Sequence, residues 1–521
     1  MKRMRLLAFA LFLLSGIMLH AQQSQPGLYA GDEFQGNMDL YDVFDWLSAN
    51  AQDGGNYTVV LETDVAASSS VLDYNGKSVT VSLKSSGPDV QVTYATRSPS
   101  SSLFTVKAGV TFVLEKGVAL VGRPSASRPP VTVDGGNFIM NGGGVKDSKV
   151  DHDRTWFGGG VDLLRGTFTM NDGVISGNAC GAGAGVNVGE NTTFTMNGGI
   201  ISGNIVIDGS TGTGFGGGVF VNKNATFTMN GGTISGNSAA YGNGYGGGGG
   251  VYVNGTFTMV DGIISDNVSN DSNGAGVCVS GNGRFVMEGG SVSNNLGTGV
   301  YLVRHESGAF TMAHTPVHGT GIGKFTMNGG IITGNSRSGV YINGASFTMN
   351  DGTISKNTAS FGAGVYIVNR SSLFTMNGGA ITENIADGSS YSKYACGGGG
   401  VCVDYSSKFT MNGGVISKNS TKGESAGGGG VFVDGTFTMT DGTISGNSAT
   451  KSGGGVFVSG GSFIKSNTAG IIYGGDAADD KANKADQYGH AVYTKNGSRD
   501  TTARATMALD SKKYGAEGGW E

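Results

Sequence analysis

The chain has 521 residues, of which 97 are glycine and 7 proline; 38% are apolar, 14% are charged and the formal net charge is −5. Collagen would need glycine at every third place and abundant proline, and low-complexity disorder would lack the ordered recurrence of apolar residues seen here. So weak and mixed a charge excludes the electrostatic footprint of a nucleic-acid or anionic-membrane binder.

Residues 1–21 read as a Sec signal peptide. Lys2, Arg3 and Arg5 form the charged region, residues 6–14 the apolar run, and Ala21 the last residue removed, although Leu19 at the −3 place is larger than the preferred small residue. No cysteine follows the apolar run, so no lipid anchor is expected. No later segment has about 18 consecutive apolar residues, so no integral membrane span is expected. The expected destination is export through Sec to the medium or the outer-membrane surface, with the periplasm as the other compartment.

Residues 28–130 form an N-terminal cap followed by irregular first coils. Leu40, Val43, Phe44 and Leu47 recur at helical spacing within residues 39–49, predicting an amphipathic helix over the open end of a solenoid. Strand-like runs follow at 57–61, 78–83 and 110–114.

Residues 131–470 are repetitive. The core word is Phe-Thr-Met-Asn-Gly-Gly-x-Ile-Ser-Gly-Asn, with its Phe at positions 168, 194, 227, 257, 285, 325, 347, 374, 409 and 437. Each copy closes on an Asn ten residues after the Phe, from Asn178 to Asn447. Partial copies start at Phe138 and Phe463. A second word, Gly-Val-aromatic-Val, precedes each Phe, as in Val219-Phe220-Val221. Phe-to-Asn length never varies, whereas the distance from Asn to the next Gly-Val runs from 5 residues (Asn335 to Val340) to 17 (Asn384 to Val401).

A rigid segment followed by one elastic segment predicts a coil with loops on a single edge. The shortest repeat, Phe325 to Phe347, is 22 residues, enough for three short strands and three turns. The fold expected is therefore all-β: a single-stranded right-handed parallel β-helix with three strands per coil and an N-terminal helical cap.

Alternation along the strands sends two Val, one Phe, one Met and one Ile of each coil inward. At ~1.5–3 kcal/mol per buried side chain this is about 10 kcal/mol gross, most of which chain entropy cancels, so a coil needs neighbours. Asn-Gly-Gly makes a sharp turn, and its Asn can form an amide ladder along the axis. Asp172, Asp261, Asp351 and Asp441 replace the first Gly as a permitted turn swap. Eleven coils at ~4.8 Å span roughly 50 Å.

Residues 471–521 lose the pattern and read as a C-terminal cap or tail, with 491–494 as one more strand. Of the cysteines, Cys278 and Cys402 occupy one repeat position in distant copies and are not expected to bond. Cys396 and Cys402 lie within reach across a loop, and spacing alone leaves their pairing open.

The pairing of Gly-Gly-x-Val or Gly-Gly-x-Ile with Phe-x-x-Asn, clean at Phe168-Thr169-Met170-Asn171 and Phe409-Thr410-Met411-Asn412, resembles the repeats of chlamydial polymorphic outer-membrane proteins. Val260, Glu288 and Thr440 depart from that Asn. The chain is similar also to the repetitive, signal-peptide-bearing β-helix proteins of host-associated bacteria, including spirochaetes, that share the pectin-lyase-like fold. The resemblance covers roughly residues 135–470. The chlamydial proteins imply adhesion and display through a C-terminal barrel. This chain ends Gly-Gly-Trp-Glu without a barrel-length strand series, so self-display is not expected.

The same fold carries polysaccharide lyases and hydrolases, so chemistry must be sought at a site. A glycosidase needs two carboxylates roughly 5–10 Å apart. The four repeat-position aspartates are several copies apart, and turn chemistry accounts for them better. Two loops are less regular. One holds Asp151, His152 and Asp153; the other holds His314 and His318, with His305 just upstream. Histidine and carboxylate are metal ligands, but a solvated loop explains both segments, and no cofactor is expected. The glycine runs lack the Lys-Ser/Thr of a phosphate loop and read as flexible approaches to a packed strand.

The outward ranks carry more promise. Phe220, Tyr252, Tyr301, Tyr341, Tyr366, Phe432 and Phe457 line up along the axis as an exposed face able to stack on sugars or fill a partner's pockets. Against this stands the plain preference of aromatics and threonine for strands. The functional expectation is a non-enzymatic, adhesin-like surface or secreted protein whose partner is a host or bacterial surface protein or glycan. The alternative is a polysaccharide lyase or glycoside hydrolase.

Overall fold

A computed structural model describes residues 25–95, 101–150, 158–207, 214–239, 247–269, 274–305, 321–388, 397–422, 427–465, 469–478 and 480–495, with the backbone of two short strands at Lys513–Tyr514 and Gly519–Trp520. The chain is a parallel β-helix. Three ladders of short strands run its length, as the invariant Phe-to-Asn spacing requires. One coil shows the plan: Val340–Asn343 in the first sheet, Ser346–Met349 in the second and Thr353–Ser355 in the third. Each strand pairs in parallel with its counterpart one repeat on, so that Val365, Phe374 and Ile381 sit beside Val340, Phe347 and Ile354. Like therefore lies beside like.

Side-chain alternation places Val340, Ile342, Phe347, Met349 and Ile354 inside, none more than 1% exposed. The phenylalanines form one continuous column. From Phe168 to Phe437 successive ring centroids are 4.6 to 4.8 Å apart and the rings tilt by only 4° to 7°. That separation is the strand spacing itself, and parallel-offset stacking is favourable for aromatic quadrupoles.

Two asparagine ladders flank the third sheet. The ladder at the Asn-Gly-Gly turn is exposed: Asn350 Nδ2 donates to Asn328 Oδ1 at 2.8 Å, and Asn377 to Asn350 at 2.8 Å. The ladder at the end of the word is fully buried and runs from Asn178 to Asn483. There each Oδ1 accepts from both the backbone N–H and the Nδ2 of the preceding coil's Asn, as Asn357 does from Asn335 at 3.0 and 2.9 Å. Beyond this ladder lies a fourth, two-residue parallel ladder that the three-strand plan did not include, for example Thr358–Ala359 beside Ile385–Ala386.

Both ends are closed. The helix α1, Leu40–Asn50, buries Leu40, Val43, Phe44 and Leu47, and Phe44 meets the first ring of the column, Phe104, edge-on at 5.5 Å. The strand Gly27–Ala30 pairs antiparallel with Gly55–Leu61, covering the first parallel edge. At the other end Val492 pairs antiparallel with Trp520. Parallel coils continue past residue 470, because Ile472 pairs in register with Ile444 and Val492 with Val456. Residues 1–21 lie outside the described residues. No helix among the described residues is long and apolar enough to cross a membrane.

Candidate functional site

The aromatic rank is built as expected in one respect: register aligns Phe220, Tyr252, Cys278, Tyr301, Tyr341, Tyr366, Cys402, Phe432 and Phe457 down the first sheet. Its exposure, however, is corrected. Phe220, Tyr252 and Phe432 are 0%, 1% and 4% exposed, and Tyr301, Tyr341, Tyr366 and Phe457 are only partly accessible.

The elastic segment explains the burial. Where it is described, the residue before a glycine run lies against the outside of the first sheet, as Phe215 and Phe361 do. Gly216, at φ +64°, reverses the chain after Phe215; a Cβ there would meet the Val219 carbonyl oxygen at 2.4 Å. The reversal lays Phe215 on Tyr252 with centroids 4.6 Å apart. Ala182, Phe215, Phe220, Tyr252 and Cys278 so form a second apolar layer, and Cys402 and Phe432 form another with Phe361, Tyr366 and Phe457 packed against it. Nor are the glycine runs flexible approaches. Gly217 N–H donates to the Gly248 carbonyl at 3.0 Å and Gly218 to Gly249 at 3.0 Å, so the runs are stacked ladders in their own right.

Cys278 and Cys402 lie four coils apart in this rank, ~19 Å along the axis, and do not bond to each other. Burial raises the Cys278 thiol well above its ordinary range and pushes that of Cys180 up to about 12. Cys396 lies outside the described residues, and with it the proposed pairing to Cys402. Asp151, His152, Asp153, His314 and His318 also lie outside them. Of His305 only the backbone is described, pairing antiparallel with Gly321. Among the described residues no three His, Cys, Asp or Glu side chains cluster as a metal site.

The repeat-position aspartates serve their turns. Asp172, Asp261, Asp351 and Asp441 each accept the next glycine's N–H at 2.7 Å. They recur every third coil, ~14 Å apart, beyond the reach of a shared hydrolytic centre.

The surface that remains open is made by the second and third sheets. Thr169, Thr195, Thr228 and Thr258 are half-buried, and the residue before each Phe adds a second rank of Thr167, Thr193, Thr226 and Thr256 in the same coils. On the third sheet Val174, Ile200, Ile263, Ile331, Val415 and Ile471 are 38% to 46% exposed. The open Asn ladder runs between these two sheets. The sequence reading missed the third-sheet column because x in x-Ile-Ser varies between Ile, Val, Thr, Ser and Ala; its only signal is β-branching at a fixed offset.

One buried carboxyl also escaped notice. Asp162, 1% exposed, heads the polar start of the first-sheet rank and accepts from Asn187 Nδ2 at 2.7 Å. Burial pushes its pKa up to about 7, against the opposing effects of the Asn187 hydrogen bond and the Arg128 charge and with a small further push from Asp134. In the folded protein this group keeps its proton up to about pH 7 but in the unfolded chain loses it near pH 4, so its own contribution to stability falls as pH rises from about 4 to about 7. Asp162→Asn is expected to abolish this fall and to raise stability at pH 8 by about 2–4 kcal/mol while changing little at pH 4. Thermal unfolding of both proteins at the two pH values measures it; a larger gain at pH 4 than at pH 8 would contradict the sign.

The chain matches no family model, no curated protein and no solved structure.

Proposed function

We propose that this is an exported, adhesin-like β-helix protein that binds host or bacterial surface ligands through its long side face and edge loops. It would stand among the repetitive β-helix proteins of host-associated bacteria that its Gly-Gly-x-Ile and Phe-x-x-Asn words resemble. The observation that carries the reading is the division of each coil into an invariant interior and an edge of variable length between Asn and Gly-Val, with one further insertion between the strands Val300–His305 and Lys324–Met327. Every insertion between Asn and Gly-Val leaves the ladders on either side in register. Segments free to vary in length on a rigid scaffold are where binding residues concentrate. The Thr ranks, the Asn ladder and the β-branched column supply a polar and apolar surface of the kind that sugars and protein strands contact.

A second reading, a polysaccharide lyase or glycoside hydrolase, is favoured by one observation. Asp404 and Asp434 follow directly on the paired residues Val403 and Val433 of adjacent coils, and the Asp434 carboxyl is raised by burial and by the Asp404 charge beside it. Two carboxylates about one coil apart approach the ~5 Å separation of retaining glycosidases.

Binding of the mature chain to host cells and to a glycan array, run beside a cleavage assay on uronate polymers, separates the two. Saturable binding without turnover is the expected result. Turnover above background that Asp434→Asn abolishes would replace the adhesin reading with the enzymatic one.

A further inference from the structure

The turn that joins the first sheet to the second holds a cleft of about 700 Å³ lined by Arg304, Asn343, Gly344, Asn369, Arg370 and Ser371. We propose that it is a binding site for the oxyanions, carboxylate or sulfate, of a linear acidic glycan. The proposal rests on the binding reading above and adds to it the class of ligand.

The cleft follows from register. Val303 pairs with Asn343, and Asn343 with Val368, so the turns of three successive coils begin at Arg304, Gly344 and Asn369-Arg370. The middle coil contributes no side chain at the position between the two arginines; a Cβ on Gly344 would lie 2.9 Å from Arg304 Cβ. The missing side chain lets the Arg304 stem lie across Gly344, its Cδ 3.5 Å from where that Cβ would be, and the backbone positions of the two arginines are two coils or ~10 Å apart along the axis.

The floor is fixed by hydrogen bonds. Asn369 Nδ2 donates to Asn343 Oδ1 at 2.6 Å, and Asn343 Nδ2 donates to the Tyr301 hydroxyl at 3.2 Å. The Ser372 hydroxyl, buried beneath, accepts from Gly344 N–H at 2.7 Å. Arg304 and Arg370 are exposed, and neither makes a hydrogen bond or ion pair among the described residues. Arg165, by contrast, is paired with Asp134, and Lys356 with Glu383.

Guanidinium groups present a planar fork that matches carboxylate and sulfate bidentately. Two forks lining one cleft, from backbone positions two coils apart, select a ligand with repeated anionic groups over one with a single charge. Asn343, Asn369 and Ser371 offer amide and hydroxyl groups to the sugar hydroxyls between them. The next coil carries Asp404 one residue after Val403, in line with Asn343 and Val368 rather than with the arginines, and its carboxylate limits the anionic chain to the Arg304–Arg370 stretch.

The test is direct binding of the full chain to immobilised heparin, chondroitin sulfate and hyaluronan, with dextran as the neutral control. Arg304→Gln, Arg370→Gln, the double variant and Lys223→Gln, a cation at the corresponding turn of a distant coil, are compared, with circular dichroism confirming the fold. At least tenfold weaker binding of acidic glycan by the double variant, with Lys223→Gln unchanged and dextran unbound, is the expected result. Retention of hyaluronan binding assigns the site to carboxylate, and its absence beside heparin binding assigns it to sulfate. Acidic-glycan binding that the double variant leaves intact, or dextran binding as strong as heparin, would overturn the proposal. Host-cell binding that persists in the double variant would confine that failure to the ligand class, whereas no binding to cells or to any glycan would take the adhesin reading with it.

Discussion

Asn357→Ala is expected to destabilise the protein by about 3 kcal/mol or more, while Asn350→Ala, seven residues earlier in the same coil, is expected to cost under about 1 kcal/mol. Both side chains belong to amide ladders, and burial separates them. Asn357 is 0% exposed. Its removal strands the Asn335 backbone N–H, leaves Asn335 Nδ2 with only the Val292 carbonyl, and takes a donor from the Ile332 carbonyl and from Asn384 Oδ1, which keeps the backbone N–H of residue 357. Each buried orphan costs about 1–3 kcal/mol, and water cannot reach these to compensate. Asn350 is exposed, and solvent replaces what it loses. Because a solenoid's stability is a sum of coil and interface terms, hydrogen exchange of the amides in the flanking coils is the sharper measurement. Asn357→Ala should raise exchange there, with the two ends of the rod unaffected. Equal effects of the two substitutions would mean that the buried ladder is not the spine described above.

Phe347→Ala is expected to cost about 3–5 kcal/mol, the range for a buried aromatic truncated in a core that cannot close. Collapse is prevented by Phe325 and Phe374, whose rings sit 4.7 and 4.8 Å away on either side and are held there by strand spacing. Phe457→Ala should cost only about 1–2 kcal/mol, since that ring is partly accessible and packs in the outer layer. Denaturant unfolding of both variants provides the comparison, and a larger effect at Phe457 would show that the outer layer, not the column, holds the coils together.

The interior was almost wholly legible in the sequence. Val, Phe, Met and Ile at period-two positions, the fixed Phe-to-Asn distance and the one elastic segment together define strands, faces and register, because a one-residue slip would turn every core residue outward. The helix at Leu40–Asn50 was legible from its 3.6-residue periodicity. What could not be read was the second layer. Alternation assigns Phe220 and Tyr252 to the outside of their sheet, which is correct, but outside a sheet is not the same as in water. The covering residue, Phe215, comes from the segment whose length varies most, and nothing in its local pattern marks it as a lid. The roles of the two asparagines were also partly hidden: the turn Asn was read as a ladder, while the final Asn, equally regular, carries the buried one. Asn483 lies 20 residues after Phe463 rather than ten, yet still accepts from Asn447 at 3.0 Å, so strict spacing understates how far the coil continues. The Arg304–Arg370 cleft depends on three coils at once and has no signature within any single repeat.

The matching faces of successive coils have a consequence for how such a chain can change. Any coil presents above itself nearly what it receives from below: a ring for a ring, an amide for an amide. Loss or duplication of one whole unit by recombination between near-identical stretches of coding sequence leaves every junction compatible. The molecule then becomes longer or shorter by one strand spacing, and the parts that meet other surfaces are reshuffled without a new core having to be invented.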